Sequence, residues 1–377
     1  AQGGPPPPSL TPVQSADGLE VRTVRSISEV PPEAWNRCAD GYDGQVNPFL
    51  QWEFLHALEA SGSASAEQGW LPVHAVLSRA QQQDDASGNE AAEILGVAPL
   101  YVKSHSYGEY VFDHAWAEAY GRFTGKRYYP KLQSCVPFSP VTGSRLLVAG
   151  EGQDREESLA VLSKSVVALC DQIDVSSLHV TFNTGEERDY LSEEAGFLAR
   201  TGIQYHWENQ GYESFDDFLM NLRQSKRKSI RQERKYVLQK SGLRVSRVHG
   251  SEMSAADWDA FYRFYLNTCD KKWGEAYLNR EFFHMLGDSM KEKVMVVFVE
   301  DAFGEKVAGA LNLVGSDTLY GRNWGCALGL NVKHLHFEVC YYQALEAAIE
   351  MGLQRVEAGA QGEHKIQRGY LPTKTHS

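Results

Sequence analysis

The sequence predicts an α/β (α+β) protein of two tandem modules, each with a mostly antiparallel mixed sheet flanked by helices. Length is the first observation, because 377 residues exceed what one domain usually holds. Element order is the second: both halves run through a lead-in strand, helices, an antiparallel meander, a helix and a closing strand. A content of 42% hydrophobic residues is enough for a sizeable core. We expect a disordered Pro/Gly-rich leader over 1–18, a first module over 19–204 and a second, C-terminally incomplete module over 205–377.

Hydrophobic periodicity defines the elements of the first module. The predicted helices are residues 31–38, 49–61, 158–173 and 186–196, and the predicted strands are 19–24, 70–78, 93–102, 136–148 and 177–182. Strands 70–78 and 93–102 are expected to pair as a hairpin, with the polar segment 79–90 as a surface insertion. Two prolines and Gly143 favour a bent or edge strand over 136–148, because proline cannot donate to a sheet.

The second module contains the same kinds of element. Its predicted helices are 215–240, 257–271, 280–290 and 334–352, and its predicted strands are 294–300, 306–314, 318–324, a short strand ending at Glu357, and the start of another at 373–377. The last helix has apolar residues close to a 3.6-residue period, at Val339, Tyr342, Ala344, Leu345, Ala348 and Ile349. Gly352 stands where the C-terminal cap of this helix is expected.

Bulk composition excludes some classes of protein. The formal net charge is -12, whereas a protein that binds nucleic acid over its whole surface is usually basic. No apolar run approaches the roughly 20 residues that a membrane span needs. The cysteines lack CxxC spacing, which favours reduced thiols in a reducing compartment over disulfides or a zinc site. They are Cys38, Cys135, Cys170, Cys269, Cys326 and Cys340.

Positive charge is concentrated on the predicted helix 215–240. The cations are Arg223, Lys226, Arg227, Lys228, Arg231, Arg234, Lys235 and Lys240, and Glu233 is the acid among them. At helical spacing, one face is shared by Arg223, Arg227, Arg231 and Arg234, and another by Lys228, Arg231 and Lys235. This stripe either holds the phosphates of CoA, a nucleotide or RNA, or is a solvated face that pairs with acidic groups of the protein itself.

Polar groups crowd the end of the last predicted strand, after Glu357. They are Gln361, Glu363, His364, Lys365 and Arg368. A core strand has no packing reason to end in this way, whereas a functional site does. The alternative is that these groups brace the loop.

Several longer segments resemble the FemAB-like predicted N-acyltransferases, a branch of the Gcn5-related acetyltransferase-like superfamily found in bacteria, plants and algae. These segments are residues 47–50 (NPFL), 105–113 (HSYGEYVFD), 128–133 (YYPKLQ), 136–143 (VPFSPVTG), 226–231 (KRKSIR), 308–312 (AGALN), 319–322 (LYGR) and 357–365 (EAGAQGEHK). The resemblance covers most of residues 45–377. It implies two acetyltransferase-like (GNAT) modules and transfer of an acyl or aminoacyl group to an amine.

The resemblance also implies roles for the polar run at the last strand. Relatives carry a functional lysine in a similar C-terminal Lys-x-x-Gly/Phe context, which corresponds to Lys365. Acyl transfer to an amine needs a base and stabilisation of the charge that develops on the donor carbonyl. Glu357, Glu363 and His364 are the candidate bases. Arg368 and the cations of the basic helix (Arg223, Lys226, Arg227, Lys228 and Arg231) are the candidate anion-binding groups for the donor, either an acyl-CoA or an aminoacyl-tRNA.

The remaining polar residues of the family segments suggest contacts to an amine acceptor. They are His105, Glu109, Asp113, Lys131, Gln133 and Arg145. Their alternative is a buried polar network that holds the fold. The aromatic stretch 107–129 has two interpretations as well: packing around an irregular connection, or a wall of the acceptor pocket.

One departure from the superfamily concerns the donor. The acetyl-CoA phosphate loop has a Gln/Arg-x-x-Gly-x-Gly/Ala pattern, and residues 325–329 (GCALG) lie in the corresponding place without it. This favours an alternative in which the chain is a non-catalytic binding subunit or assembly factor of a plastid protein complex. RNA binding through the basic helix is a third hypothesis.

His334, His336 and Glu338 precede the last helix with spacing that resembles metal ligands on a strand. No fourth ligand accompanies them, so we predict no metal. His336 is instead expected to contact the acceptor, and the group to line the site or cap the helix. The Pro-rich beginning of the chain resembles the sequence that follows a removed transit peptide, which suggests the chloroplast stroma, with the cytoplasm as the alternative.

Overall fold

The computed structural model describes residues 11–14, 18–41, 44–79, 92–272, 275–359 and 362–377. Much of the predicted leader (1–10 and 15–17), nearly all of the predicted surface insertion (80–90) and Gln361 lie outside the described residues. The chain divides into two compact units. The first holds the residues up to Gly202 together with Thr375–Ser377, and the second is Ile203–Lys374.

The first unit contains two sheets. Its strands are β1 (Val13–Gln14), β2 (Leu19–Val24), β3 (Trp70–Pro72), β4 (His74–Arg79), β5 (Ile94–Ala98), β6 (Leu100–Lys103), β7 (Lys131–Ser134), β8 (Leu147–Val148) and β9 (Leu178–Val180). One sheet has the order β1-β2-β4-β5-β8, and the other has the order β3-β6-β7-β9. Every pairing is antiparallel except that of β7 with β9.

Proline divides the predicted hairpin between these two sheets. Pro72 ends β3, and Pro99 separates β5 from β6. Because proline has no backbone N–H, neither strand can continue through that point as part of a single regular ladder. The pairing partners are as predicted, since β3 pairs with β6 and β4 pairs with β5. The prediction of one continuous hairpin was therefore wrong only in its continuity.

The helices of the first unit are α1 (Pro32–Ala39), α2 (Trp52–Ala60), α3 (His114–Thr124), α4 (Gly152–Ile173) and α5 (Gly185–Glu194). Helix α4 packs Leu162, Val166 and Leu169 into the core of this unit. It begins six residues before the predicted start at 158, because its exposed first turns carry no apolar period, while Asp154 there suits the positive helix N-terminus. The predicted strand 136–148 is reduced to β8, which is an edge strand as expected.

The second unit is built on one sheet. Its strands are β10 (Thr201–Glu208), β11 (Arg244–His249), β12 (Val294–Glu300), β13 (Lys306–Val314), β14 (Thr318–Cys326), β15 (Arg355–Glu357) and β16 (Leu371–His376). The order is β11-β12-β13-β14-β15-β10-β16. Strands β12 to β14 form the predicted antiparallel meander, and β15 joins β14 in parallel. Strand β11, which was not predicted, adds to this meander by antiparallel pairing with β12.

The helices of the second unit are α6 (Phe215–Met220), α7 (Gln224–Lys235), α8 (Ala255–Lys272), α9 (Arg280–Ser289), α10 (Leu335–Phe337) and α11 (Gln343–Glu350). A π-helical turn, Glu338–Tyr342, joins α10 to α11. The predicted apolar face of this run is buried, with Val339 and Ala348 fully inaccessible to solvent. Gly352 follows with a φ of +71°, the left-handed conformation expected after a helix end.

The predicted helix 215–240 is broken between α6 and α7, so that prediction was wrong. Arg223 takes an extended conformation, with φ −57° and ψ 142°. Asn221 ends α6 and donates to the hydroxyl oxygen of Tyr212 at 2.6 Å. The helix thus ends at Asn221 although Leu222 and Arg223, which follow it, are good helix formers. The break separates the basic residues of α7 from the acidic first turn of α6.

The six cysteines are free thiols in this structure. None of the helices in the described part of the chain combines the length and apolarity needed to cross a membrane.

Candidate functional site

A cavity of about 580 Å³ opens in the first unit, beside β7 and β9. Its apolar wall includes Trp116 and Tyr120 from α3, Tyr128 ahead of β7, and Leu178 and Val180 from β9. Its volume falls within the roughly 300–1,000 Å³ typical of small-molecule sites. The aromatic stretch 107–129 thus supplies part of a cavity wall, and other aromatic residues of that stretch are exposed rather than packed, as Phe112 and Phe123 are.

A buried group of one cation and two acids lines this cavity. The Nζ of Lys131 donates to Glu109 Oε2 at 2.7 Å and to Asp113 Oδ2 at 2.5 Å. Tyr129 donates from its hydroxyl to the other oxygen of Asp113 at 3.0 Å. The side chains of Lys131, Glu109 and Asp113 are at most 5% exposed. When all three are ionised, the group carries one net negative charge.

Two hydrogen-bond acceptors of the cavity lining lack a donor. Glu109 Oε1 and Gln133 Oε1 are buried and accept no hydrogen bond. The amide nitrogen of Gln133 is engaged, since it donates to Thr181 Oγ1 at 3.0 Å. Most buried polar atoms in proteins are paired, so each exception calls for an explanation. Here both acceptors lie in the lining of one cavity, and Arg188 Nε is a buried donor of the same lining that lacks an acceptor.

Burial shifts the pKa of the groups around the cavity. It raises the pKa of Glu109 to about 7, against the opposing effect of Lys131. Burial also acts to raise the pKa of Asp113, but hydrogen bonds from Lys131 and Tyr129 outweigh it and lower that pKa. The two acids that share Lys131 therefore differ in pKa. Asp113 stays ionised, whereas Glu109 can exchange a proton near neutral pH.

His179 is a cavity residue that sequence reasoning missed. Its Nε2 lies 3.0 Å from the Tyr128 hydroxyl oxygen and 2.9 Å from Ser177 Oγ. Burial, followed by the charge of Lys131, lowers its pKa to about 4, so the ring is neutral at physiological pH. The signal in the sequence was a histidine within an otherwise apolar short strand.

The predicted acceptor residues do not form one group. Four of them line the cavity: Glu109, Asp113, Lys131 and Gln133. Arg145 does not. It is fully buried and donates to backbone carbonyl groups, including Val141 O at 2.7 Å and Thr181 O at 3.0 Å. This geometry favours its alternative interpretation, a brace for the irregular segment before β8.

His105 lies outside the cavity lining as well. Its Nδ1 accepts from the backbone N–H of Tyr107 at 3.2 Å, and its Nε2 is 3.1 Å from the carbonyl oxygen of Gln68. His336 belongs to the second unit, where its ring packs edge-on against Trp324 and Tyr341 at 5.4 Å. Neither residue joins the four that line the cavity.

The end of β15 in the second unit holds a buried lysine. The Nζ of Lys365 donates to the carbonyl oxygens of Ala358 at 2.5 Å and Gly359 at 2.9 Å. The residue is 1% exposed, and burial lowers its pKa to about 8. It sits in the 3₁₀ turn Glu363–Arg368, so the predicted polar run is a turn after the strand rather than its continuation.

The predicted bases lie around this lysine with different exposure. Glu357 is buried, and its Oε1 lies 3.9 Å from Nδ1 of His206, whose pKa burial lowers to about 3. Glu363 and His364 are exposed. His364 also contacts the Tyr341 hydroxyl through Nε2 at 2.9 Å.

Arg368 is engaged through each nitrogen of its guanidinium group. It donates to the Tyr342 hydroxyl oxygen at 3.0 Å, to the His364 carbonyl oxygen at 2.9 Å and to Glu233 at 3.1 Å. The guanidinium also lies over the Phe337 ring, 3.4 Å from its centroid. This arrangement favours the bracing interpretation over binding of a donor anion.

The basic side chains of α7 differ in burial: some point into the protein and others are exposed to solvent. Arg234 points inward and donates to Glu338 at 3.1 Å and Glu346 at 2.8 Å. Arg223, Lys228 and Arg231 are exposed, while Lys226 and Arg227 are half-buried. Some of these side chains already have partners: Lys226 donates to Gln367 at 3.0 Å, Arg227 to Met220 O at 3.0 Å and Arg231 to Asp216 at 3.1 Å.

The residues with metal-like spacing have other partners. Glu338 accepts from Arg234 and from Gln343, the latter at 2.8 Å. His334 Nδ1 lies 3.8 Å from Glu233. Over the described ranges, no cluster of three or more His, Cys, Asp or Glu side chains has an arrangement suited to a metal ion.

Comparison with solved structures shows what this fold resembles. FemX matches over 91% of this chain and 94% of its own, with 11% identity and a TM-score of 0.53. L-PGS from Bacillus licheniformis covers 88% of this chain and 90% of its own, with 10% identity and a TM-score of 0.47. A tandem GNAT protein from the clavulanic acid biosynthesis pathway covers 95% and 97%, with 9% identity and a TM-score of 0.48. At such identities the likeness to FemX is one of fold.

No curated protein matches this chain at a significant level. The predicted fold class, two tandem acetyltransferase-like modules with mixed sheets, is confirmed. The profile of the FemAB-like family, which is described as peptidoglycan biosynthesis/recognition, matches residues 26–377. Because this match spans nearly the whole chain, the protein belongs to the FemAB-like family.

Proposed function

We propose that this protein is an N-acyl or aminoacyl transferase that moves an acyl group from an activated donor to an amine acceptor. Glu109 carries the proposal: a buried carboxyl with a pKa of about 7 lines a small-molecule cavity and has one oxygen without a donor. A general base works best when its pKa lies near the operating pH. Membership of the FemAB-like family makes acyl transfer the reaction class that this base would serve.

The proposed reaction starts with the acceptor amine in its protonated form. Glu109 Oε1 takes a proton from the ammonium and leaves a neutral amine. The amine nitrogen attacks the donor carbonyl carbon, a C–N bond forms, and the C–S or C–O bond to the donor breaks. The nitrogen loses a second proton as the amide forms, and the leaving thiolate or alkoxide takes it up to become a thiol or a hydroxyl group. Glu109 then returns its proton to solvent.

The donor is proposed to be an acyl-CoA or an aminoacyl-tRNA, used as a co-substrate rather than held as a tightly bound cofactor. Both donors carry phosphates, and the cations of α7 supply the charge that phosphates need. Arg223 and Lys228 are exposed, and Lys226, Arg227 and Arg231 lie on the same short helix. RNA binding would use this surface too, and it predicts an affinity that falls steeply with salt.

Lys365 is the proposed second centre, on the second unit. A lysine ammonium has three N–H donors, and two of them hold the carbonyls of Ala358 and Gly359. The third can stabilise negative charge on a carbonyl oxygen. Glu357, Glu363 and His364 are proposed to assist it.

The alternative function is non-catalytic: a binding subunit or assembly factor of a plastid protein complex. Two observations favour it. The guanidinium of Arg368 is fully engaged within the protein. A Cβ on Gly325 would lie 2.0 Å from the carbonyl oxygen of Phe264, so this glycine has a packing reason that is unrelated to phosphate. The chloroplast stroma, or the cytoplasm, remains the predicted location, and microscopy of the full-length fluorescent fusion would distinguish them.

The test is a turnover assay with a panel of donors. The purified chain is incubated with acetyl-CoA, longer acyl-CoAs or aminoacyl-tRNA and an amine, and amide formation is followed by mass spectrometry. The proposal expects turnover with one donor class, a loss of at least about 100-fold in Glu109→Gln, and a smaller loss in Lys365→Met. Glu118→Gln and Lys374→Met are the matched controls, because both residues are exposed.

A raised KM for the donor in Arg227→Gln would assign the donor to α7. If the folded protein turns over no donor and binds none in calorimetry, the non-catalytic alternative is favoured. Partner capture by the full chain is then the next experiment.

A further inference from the structure

The cavity of the first unit has a polarity that restricts what can occupy it. Three buried atoms of its lining lack a partner: Glu109 Oε1 and Gln133 Oε1, which are acceptors, and Arg188 Nε, which is a donor. The two acceptors define the polar end considered first. Glu109 is 3% exposed and Gln133 is fully buried, so water in the open solvent does not satisfy them. An occupant that restores the missing hydrogen bonds must bring N–H or O–H donors. A primary ammonium brings three.

The charge at the Glu109 end of the lining favours a cationic occupant there. Glu109 and Asp113 share the ammonium of Lys131. Lys103 also interacts with both acids, but burial lowers its pKa to about 7, so two ionised acids carry one negative charge in excess whenever Lys103 is neutral. An ammonium beside Glu109 would neutralise that excess in a site of low dielectric constant. A phosphate or a carboxylate at the same place would meet two acids and two unpaired acceptors. The polar end of the cavity therefore disfavours the phosphate groups of a nucleotide or CoA.

Much of the remaining wall is apolar, although Asp171, His179, Arg188 and Arg200 also line the cavity. Tyr120, Tyr128, Leu178 and Val180 line it, and Trp116 stands at the rim with 55% of its surface exposed. A hydrocarbon or aromatic body is removed from water against this apolar part of the wall. The occupant is therefore amphipathic, with a donor-rich cationic head and an apolar body.

We propose that the cavity of the first unit binds a primary amine carried on an apolar body, with the ammonium group on Glu109 Oε1 and Gln133 Oε1. This deepens the proposed function and rests on it, because it names the acceptor class of the transferase. The amine comes from one of two sources, a simple alkylamine or arylalkylamine, or an apolar amino acid. Arg188 distinguishes them, because its Nε is a buried donor in the same lining that lacks an acceptor and would meet the carboxylate of an amino acid.

Calorimetric titration of the full chain with four matched probes tests this. The probes are 3-phenylpropylamine, its alcohol analogue 3-phenylpropan-1-ol, 3-phenylpropanoate, and homophenylalanine, which is the same amine with an α-carboxylate. The expected result is saturable binding of the amine with one site per chain, and at least tenfold weaker binding of the alcohol and the acid. Tighter binding of homophenylalanine, lost in Arg188→Met, would assign the amino acid source, and the reverse order would assign the simple amine.

Variants separate the ammonium contact from general hydrophobic binding. Glu109→Gln and Gln133→Met should each weaken the amine at least tenfold and leave the alcohol within about twofold. Glu118→Gln, at an exposed acid on α3, should change neither. Val167→Trp should weaken all four probes by filling the cavity, because Val167 lines it from α4 and is exposed enough to accept a larger side chain.

Equal affinity for the amine and the alcohol, or amine binding that survives Glu109→Gln in a folded protein, would overturn the inference. The proposed function fails separately. If the amine binds but no donor acylates it, the inference about the cavity is supported and the proposed transferase function is rejected. If a peptide amine is acylated but none of the probes binds, the transferase function is supported and the proposed acceptor class is rejected.

Discussion

Lys103 and Lys131 lie directly opposite each other on the antiparallel strands β6 and β7, and both are buried. Directly opposed residues point to the same face of a sheet, where like charges oppose each other. The two nearby acids, Glu109 and Asp113, both accept hydrogen bonds from Lys131. Lys103 instead lies over the ring of Trp70, 3.4 Å from its centroid, and donates to the carbonyl oxygen of Tyr107 at 3.2 Å. Burial lowers the pKa of Lys103 to about 7.

This pair predicts that Lys103→Met stabilises the fold at neutral pH. The pKa of Lys103 falls from 10.5 to about 7 on folding, so the folded state binds fewer protons between those values. Burying the charged form of Lys103 lowers the free energy of unfolding. This loss is fully present below about pH 7 and disappears as the pH rises towards 10.5. The variant should therefore gain most over the wild type near pH 6.5 and little near pH 10, in urea denaturation at about those two pH values. Lys164→Met, at an exposed lysine on α4, should show no such pH-dependent gain. A constant gain at both pH values would point to packing rather than to charge.

Glu109 predicts the acid limb of the pH–rate profile. Because its pKa is about 7 and the base must be deprotonated, kcat/KM for acyl transfer should fall as pH drops below about 7. Glu109→Gln should lose at least about 100-fold near pH 8, and its residual rate should no longer follow that limb. Measurement of kcat/KM from about pH 5.5 to 8.5 checks this, with Glu118→Gln as the variant that should keep the wild-type profile. An unchanged limb in Glu109→Gln would transfer the role of base to another group.

We expect the loss of Arg234 to lower the free energy of unfolding much more than the loss of Arg231, although both arginines lie on α7. It is the cation bonded to Glu338, which is fully buried, and it also binds Glu346. Arg234→Met would leave a buried carboxyl without its cation, which costs about 3–5 kcal/mol. Arg231→Met removes an exposed pair with Asp216 and should cost no more than about 1 kcal/mol. Guanidinium denaturation of both variants checks this, and equal small losses would mean that water replaces Arg234.

Regular burial made much of the fold predictable from the sequence. The helix over 335–350 was found because Val339, Leu345 and Ala348 must all face the same core, and a 3.6-residue period records that requirement. The break at Asn221 was not predicted, because Leu222 and Arg223 are good helix formers and the hydrogen bond from Asn221 to Tyr212 at the end of α6 has no signal in the periodicity. Pro72 and Pro99 can be read from the sequence as strand breaks. The sequence does not show that the strand pieces on either side of each proline join different sheets.

The sequence indicated most of the residues of the candidate site, but not which of them lie together around the cavity. The family segments contained Glu109, Asp113, Lys131 and Gln133, and also Arg145, which only braces backbone. Composition does not reveal which polar residue of a segment points into a cavity. Lys103 and His179 were missed because each stands alone in a short apolar strand, where a polar side chain is usually taken for an edge position. Their burial follows from strand register, which long-range pairing sets.

Gly325 predicts a stability effect that separates packing from ligand binding. This residue lies in β14 where the strand crosses α8, and a Cβ there would stand 2.0 Å from the carbonyl oxygen of Phe264. Helix backbone cannot move aside as a side chain can, so Gly325→Ala should cost about 1–3 kcal/mol or more. Gly321→Ala, on the same strand, would place its Cβ no closer than 3.4 Å to any atom and should be nearly neutral. Thermal and urea denaturation of both variants, with donor binding measured beside them, gives the comparison. If Gly325→Ala kept its stability and lost only donor affinity, this glycine would serve a phosphate site, and the departure from the superfamily loop pattern would no longer speak against CoA.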